Sequence, residues 1–173
     1  MGYLFQGPAL TCFKCLTLIF LSHPYDFGDR VIVDGEYLTV EWIEIFTTVF
    51  RRWDGTAVYI SNADLYGKKI YNVRRAGAQL DTIDLLFDKE KTTIEQVWGL
   101  RDKMVEFCKS EPLDYTGSVE IVGFEVDGNK LKAQLSFVHR TNFQEVSLRS
   151  SRRNKFMAML KQVATELSIS YFE

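Results

Sequence analysis

Of 21 basic and 23 acidic side chains, only one, Lys14, falls within the first 22 residues, and at His23-Pro24 the sequence changes abruptly into short alternating runs broken by turn residues. A segment with so little charge joined this directly to β-forming sequence has few ways to fold. Residues 9–22 form an apolar run of about 14 residues, broken only by Lys14 among the charged types, and fall short of the roughly 20 residues a helix needs to cross hydrocarbon. They therefore read as a buried helix, an interfacial helix or half of a membrane helix. A secretory signal is a poor fit, because no basic leader precedes the run and no small-x-small cleavage pattern follows it. Gln6 stands where a myristoylation signal needs Ser or Thr. Leu4-Phe5-Gln6-Gly7-Pro8 also matches a protease-site remnant.

After Pro24 the pattern is that of strands. Residues 30–34 alternate, Asp34-Gly35 is a hairpin turn signal, and residues 38–50 are rich in Val, Ile, Thr, Trp and Phe. The alternation slips at Trp42-Ile43, which predicts a bulge that bends a long strand. Residues 57–60 form another short strand, ended by Ser61-Asn62-Ala63-Asp64, whose polar side chains favour local backbone bonding. Four or five strands between residues 29 and 75 make a small β module.

From Leu80 the rhythm changes. A strand at 80–87 precedes a helix with capping-box spacing at Thr92 and Glu95. Strands at 119–126 and 131–138 meet at Asp127-Gly128. A last helix starts near Asn142 and carries Phe156, Leu160, Val163 and Leu167 on one stripe. The order β-α-β-β-α is the skeleton of a ferredoxin-like layer. The expected class is α+β: an apolar interfacial helix at 1–23, a small Sm-like β-domain at 24–77 and a ferredoxin-like α/β domain at 78–173.

The chemistry of an enzyme is hard to find. With 173 residues, 46% of them hydrophobic, the chain is globular, and its net charge of −2 gives no global field for nucleic acid. The three cysteines Cys12, Cys15 and Cys108 are too few for a disulfide framework, and the CxxC of Cys12 and Cys15 lacks a second ligand pair. His23 and His139 sit in no catalytic motif and read as surface or capping histidines. Asp81 and Asp84 lie at odd spacing on one strand, which sends their carboxylates to opposite faces. No catalytic, cofactor or metal site is expected. The local basic cluster Arg149, Arg152, Arg153 and Lys155 reads first as a solvated helix face, with Arg51-Arg52-Trp53 a second cationic spot lacking an RNA-stacking pattern around it.

Pro24-Tyr25, Gly28-Asp29-Arg30-Val31, Gly35, Val40, Ile43, Thr48, Asp54-Gly55 and Ile60-Ser61-Asn62-Ala63 together resemble the core signature of small-conductance mechanosensitive (MscS-like) channels, over about residues 16–75. The wording is similar to the fungal and other eukaryotic branch. Leu38 departs from the second glycine of the family's turn, and Ser61 from the proline before its asparagine. The resemblance implies the cytoplasmic vestibule portion of a channel subunit that passes ions in response to membrane tension during osmotic stress. It also implies a cyclic homo-oligomer, a heptamer, in a membrane such as that of the endoplasmic reticulum, with residues 24–173 cytoplasmic. Leu16, Leu18, Ile19, Phe20 and Leu21 would contact the membrane interface, Pro24, Gly28, Asp29 and Asn62 would hold the structural motif, and Arg149, Arg152, Arg153 and Lys155 would bias ions in the vestibule. With its sensor helices upstream, the chain would not conduct alone. Ions and lipid are the expected partners, and nucleic acid is not. A soluble Sm-like or ferredoxin-like module that binds RNA or forms a ring is the alternative.

Overall fold

The computed structural model describes residues 6–128 and 130–169, so the reading of residues 1–5 lies outside it. The chain divides into two compact units, residues 1–76 and 77–173. Among the described residues no helix is long and apolar enough to cross a membrane.

The first unit opens with helix α1 (Gln6–Leu16), which continues as a π-helical segment over Thr17–Ser22. π-Helix is rare and costs backbone geometry, so a full segment of it marks a place where packing dictates register. It stops at His23, which takes a left-handed conformation at φ 40° and returns its N–H to the Leu18 carbonyl, 2.8 Å away. Proline at the next position bars further helix. Strands β1 (Arg30–Val33), β2 (Glu36–Ile43), β3 (Thr47–Arg52), β4 (Ala57–Ser61) and β5 (Ile70–Asn72) form one antiparallel sheet in the order β4-β3-β2-β1-β5, with the short helix α2 (Asn62–Leu65) between β4 and β5. Asp34 (φ 52°) and Gly35 (φ 84°) make the two-residue turn between β1 and β2, both left-handed as the strand twist requires. The bulge falls at Glu41, between Val40 and Trp42, slightly before the expected slip. Val31, Val33, Leu38, Val40 and Phe50 alternate onto one face and pack with Leu18, Tyr25 and Leu65.

In the second unit β6 (Gln79–Asp88), β7 (Tyr115–Asp127) and β8 (Lys130–His139) form an antiparallel sheet in the order β6-β8-β7. Both outer strands run against β8, so they are parallel to each other and α3 (Ile94–Ser110) is their crossover. That is the split β-α-β arrangement of a ferredoxin-like layer. The capping box of α3 sits one residue later than the spacing predicted: Thr93 is the cap and Gln96 closes it. Helix α4 (Val146–Glu166) begins four residues after Asn142, because residues 140–145 turn inward and seat Phe143 against the ring of His139, centroids 5.1 Å apart. The core joins both helices to the sheet, with Phe137 stacked on Phe156 at 3.9 Å. Burial there pushes the Cys108 thiol up to about 12, which leaves it an inert apolar filler.

Candidate functional site

The residues of the recognised motif gather where the N-terminal helix meets the sheet. Gly28 has φ +80°, a region that side chains bearing Cβ enter at a cost. It aims the chain so that Asp29 points into the fold and is almost fully buried. The Asp29 carboxylate accepts from the Asp26 N–H (3.0 Å), Asn72 Nδ2 (2.7 Å) and Arg74 (3.3 Å), and Arg75 Nε lies 3.8 Å away. Burial alone would raise its pKa. The hydrogen bonds from Asn72 and Asp26 and the charges of Arg74 and Arg75 outweigh burial and hold it below the usual carboxylate range.

Asn72 also donates to the Pro24 carbonyl (3.0 Å), and Arg75 donates to the His23 carbonyl (2.8 Å) and the Asp26 carboxylate (3.0 Å). Both nitrogens of the His23 ring meet acceptors, Nδ1 the Ile19 carbonyl at 3.1 Å and Nε2 Asp26 at 2.9 Å. One polar node thus ties the end of the helix to the start of β1 and to the last residues of the unit. Arg74 and Arg75, which no sequence motif singled out, complete it.

Asn62 is fully buried but does not bond local backbone as its position in a turn had implied. Its amide donates to the carbonyls of Glu44 (2.7 Å) and Ile45 (3.0 Å), 18 and 17 residues away. Its Oδ1 accepts from the Thr48 hydroxyl (2.7 Å). With that proton committed, Tyr25 donates to Thr48 Oγ1 (2.9 Å). Burial raises the Tyr25 pKa, so the phenol keeps its proton for this bond.

Among the expected interface residues, Phe20 and Leu21 are 70% and 78% exposed, Leu16 is exposed and Ile19 is half-buried, with Leu10 and Phe13 extending the apolar surface. Leu18 is a correction. It is 4% exposed and belongs to the core, packed with Tyr25 and the inner face of the sheet on the same side of the helix as buried Cys15.

The basic cluster is a solvated face only in part: Lys155 is exposed, Arg149, Arg152 and Arg153 are half-buried, and all four meet carboxylates. Arg153 and Arg149 (3.6 Å) meet Asp81, Arg152 meets Asp114 (3.0 Å), and Lys155 meets Glu111 (2.8 Å) and Asp114 (3.4 Å). His139 is not a surface histidine either: it is fully buried, with Nε2 3.5 Å from Asp81. Burial lowers its pKa against the opposing charge of Asp81. Asp81 is raised by burial but more strongly lowered by Arg153 and Arg149, and lies below the usual range. Asp84 takes no part, bonding instead to Gln134 (2.9 Å). The alternation of β6 had separated the two aspartates, but it gave no sign of the helix that would cover Asp81.

An apolar cleft of about 490 Å³ opens beside β6, lined by Leu85, Phe87, Leu100, Met157 and Leu160 with Asp84 and Lys161. It holds no histidine or cysteine. Among the described residues no group of three His, Cys, Asp or Glu side chains is placed to hold a metal ion.

An apolar helix knotted by ion pairs to a five-stranded β-domain, followed in the chain by a split β-α-β layer, defines a particular class of domain pair. Residues 16–75 match the family described as "Mechanosensitive ion channel, beta-domain". The chain is 29% identical over 172 residues to mechanosensitive ion channel protein 10 of Arabidopsis thaliana, covering 99% of this chain and 23% of that protein. It is 30% identical over 162 residues to mechanosensitive ion channel protein Msy2 of Schizosaccharomyces pombe, covering 93% and 19%. The crystal structure of Helicobacter pylori MscS in a closed state shares its fold at a TM-score of 0.78 and 16% identity, over 98% of this chain and 64% of that one. The chain belongs to the MscS-like mechanosensitive channel family and spans about a fifth of the length of the curated relatives it matches.

Proposed function

We propose that this chain is the vestibule portion of a mechanosensitive channel subunit, with residues 24–173 on the cytoplasmic side of a membrane such as the endoplasmic reticulum and residues 9–22 lying at the lipid surface. In a complete channel it would help pass ions in response to membrane tension, and it would not conduct alone. The observation that carries this is the join itself: an exposed apolar helix locked by Asp29, Asn72 and Arg75 to a sheet matched by the channel β-domain. So much apolar surface left in water drives association with lipid or protein.

Assembly into a ring, a heptamer by family likeness, is part of this reading. β4 and β5 are the two outer strands of the first sheet, and a head-to-tail contact between unlike edges closes into a ring when its rotation allows. Ion bias from the α4 cations is small by this geometry, since Arg149, Arg152, Arg153 and Lys155 face Asp81, Asp114 and Glu111 and leave one positive charge in surplus per copy. Such a surplus acts within a Debye length of ~8 Å. The test is the chain itself, with and without residues 6–22, on vesicles and in light scattering. The full chain should partition onto vesicles and scatter as an oligomer in detergent, and the shortened chain should stay in solution. Equal behaviour of the two would refute the membrane role.

A further inference from the structure

Surface turns are normally polar because their carbonyl groups look to water for partners. The turn between β2 and β3 is built otherwise. Ile45 and Phe46 are 53% and 55% exposed, and neighbouring Trp42 is exposed as well. The carbonyls beneath them are satisfied from within the protein. Asn62 Nδ2 donates to the Glu44 and Ile45 carbonyls (2.7 and 3.0 Å), the Asn62 N–H to the Phe46 carbonyl (2.9 Å), and the Glu44 N–H to the Thr47 carbonyl (2.9 Å). A turn whose carbonyls are already bonded can leave water without the several kcal/mol that each unsatisfied group costs in hydrocarbon.

The same end of the sheet receives the helix. Ile43, at the base of the turn, shares a small cleft with Leu18, Ile19, His23, Pro24 and Tyr25, so the turn adjoins the π-helical segment whose Phe20 and Leu21 are exposed. Between Trp42 and Val49 the only charge is Glu44.

We propose that Ile45 and Phe46 form a second lipid-contacting element, seated in the headgroup and acyl boundary of the membrane surface that receives residues 9–22. This rests on the membrane role proposed for that helix. The occupant is the bilayer surface, because the apolar turn adjoins the helix end through Ile43 and its carbonyls are already bonded, as a medium without hydrogen-bond donors requires. Glu44, exposed beside the turn, limits insertion to headgroup depth.

The tryptophans provide a ruler. Trp42 is next to the turn, whereas Trp53 follows the far end of β3, six residues and roughly 20 Å away along the strand. Full-length chains retaining only Trp42 (Trp53→Phe, Trp98→Phe) or only Trp53 (Trp42→Phe, Trp98→Phe) are mixed with phosphatidylcholine vesicles carrying bromine on the acyl chains. Trp42 emission should fall relative to unbrominated vesicles, and Trp53 emission should not. Ile45→Ser with Phe46→Ser keeps every backbone bond to Asn62, so it should leave the melting temperature in place, remove the quenching and weaken partitioning about tenfold. A chain that partitions with Trp42 unquenched overturns the inference and makes the turn a protein contact, with the helix reading intact. A chain that does not partition at all overturns both.

Discussion

Each unit buries one aspartate against two arginines, and the two sites solve the same problem differently. Asp29 accepts from neutral donors, Asn72 and the Asp26 N–H, with Arg74 and Arg75 reaching in from half-exposed positions. Asp81 accepts one backbone N–H, from Thr82 (3.0 Å), and otherwise relies on Arg153 and Arg149, while its Oδ2 and both ring nitrogens of His139 have no hydrogen-bond partner. A carboxylate solvated by fixed neutral dipoles stays satisfied when a surface arginine swings away. One held mainly by arginines does not, and its unpaired neighbours mark the looser design.

Removing each carboxylate should therefore separate the units most. Asp29→Ala strips partners from Asn72 and the Asp26 backbone together and should lower the stability of the first unit by about 2–3 kcal/mol. Asp81→Ala should cost the second unit about 1–2 kcal/mol, because it leaves a single neutral donor, the Thr82 N–H, without its acceptor and frees two arginines that still reach solvent. Urea unfolding followed in a Trp98→Phe chain, whose tryptophans report the first unit, and in a Trp42→Phe, Trp53→Phe chain, whose Trp98 reports the second, assigns each loss to its unit, and equal losses would erase the distinction.

The amide replacements sharpen it. Asn at position 29 sets an NH₂ against donors and should cost about 2 kcal/mol, whereas Asn at 81 can donate to the unpartnered His139 nitrogen and should cost about half as much.

Acid separates the sites by pH. His139 has a lowered folded pKa, so below its unfolded value near 6.5 the unfolded chain binds the extra proton and the second unit loses stability as pH falls. Asp29 also has a lowered folded pKa, but its contribution is complete above the unfolded aspartate value near 4 and is lost only as pH drops below it. Melting curves from pH 7 to 5 should move the second unit first, and His139→Phe should abolish that early loss. The smallest effect belongs to the exposed pairs: Lys155→Ala, which breaks contacts with Glu111 and Asp114, should leave the melting temperature of the second unit in place.

The same contrast explains what was legible in the sequence. At the Asp29 site only the near half was legible: Pro24, Gly28 and Asp29 lie in a contiguous motif, whereas Asn72 and Arg74 reach it from 43 and 45 residues on. Strand alternation and the Asp-Gly turn likewise gave both sheets and the ferredoxin-like order, because period and punctuation are local properties. The partners of Asn62, by contrast, lie 17 and 18 residues away, and those of Asp81 about 70. Pairings of that range depend on how elements pack, and no spacing rule records them. Leu18 was misplaced for a related reason: apolar composition sent the whole run to the interface, and nothing local told which of its side chains the sheet would cover.

The node at the helix end has a mechanical consequence. Arg75 bonds the His23 carbonyl across 52 residues of chain, so the two points at which the backbone joins and leaves the β-domain are fastened side by side. Tension applied between Ser22 and Ala76 would run through this side-chain staple and largely bypass the strands. The β-domain would behave as a bead hung on a taut line, unstretched until the staple parts. A pulling experiment between those two positions should show an early, low-force yield that Arg75→Ala removes, followed by sheet unfolding at an unchanged force.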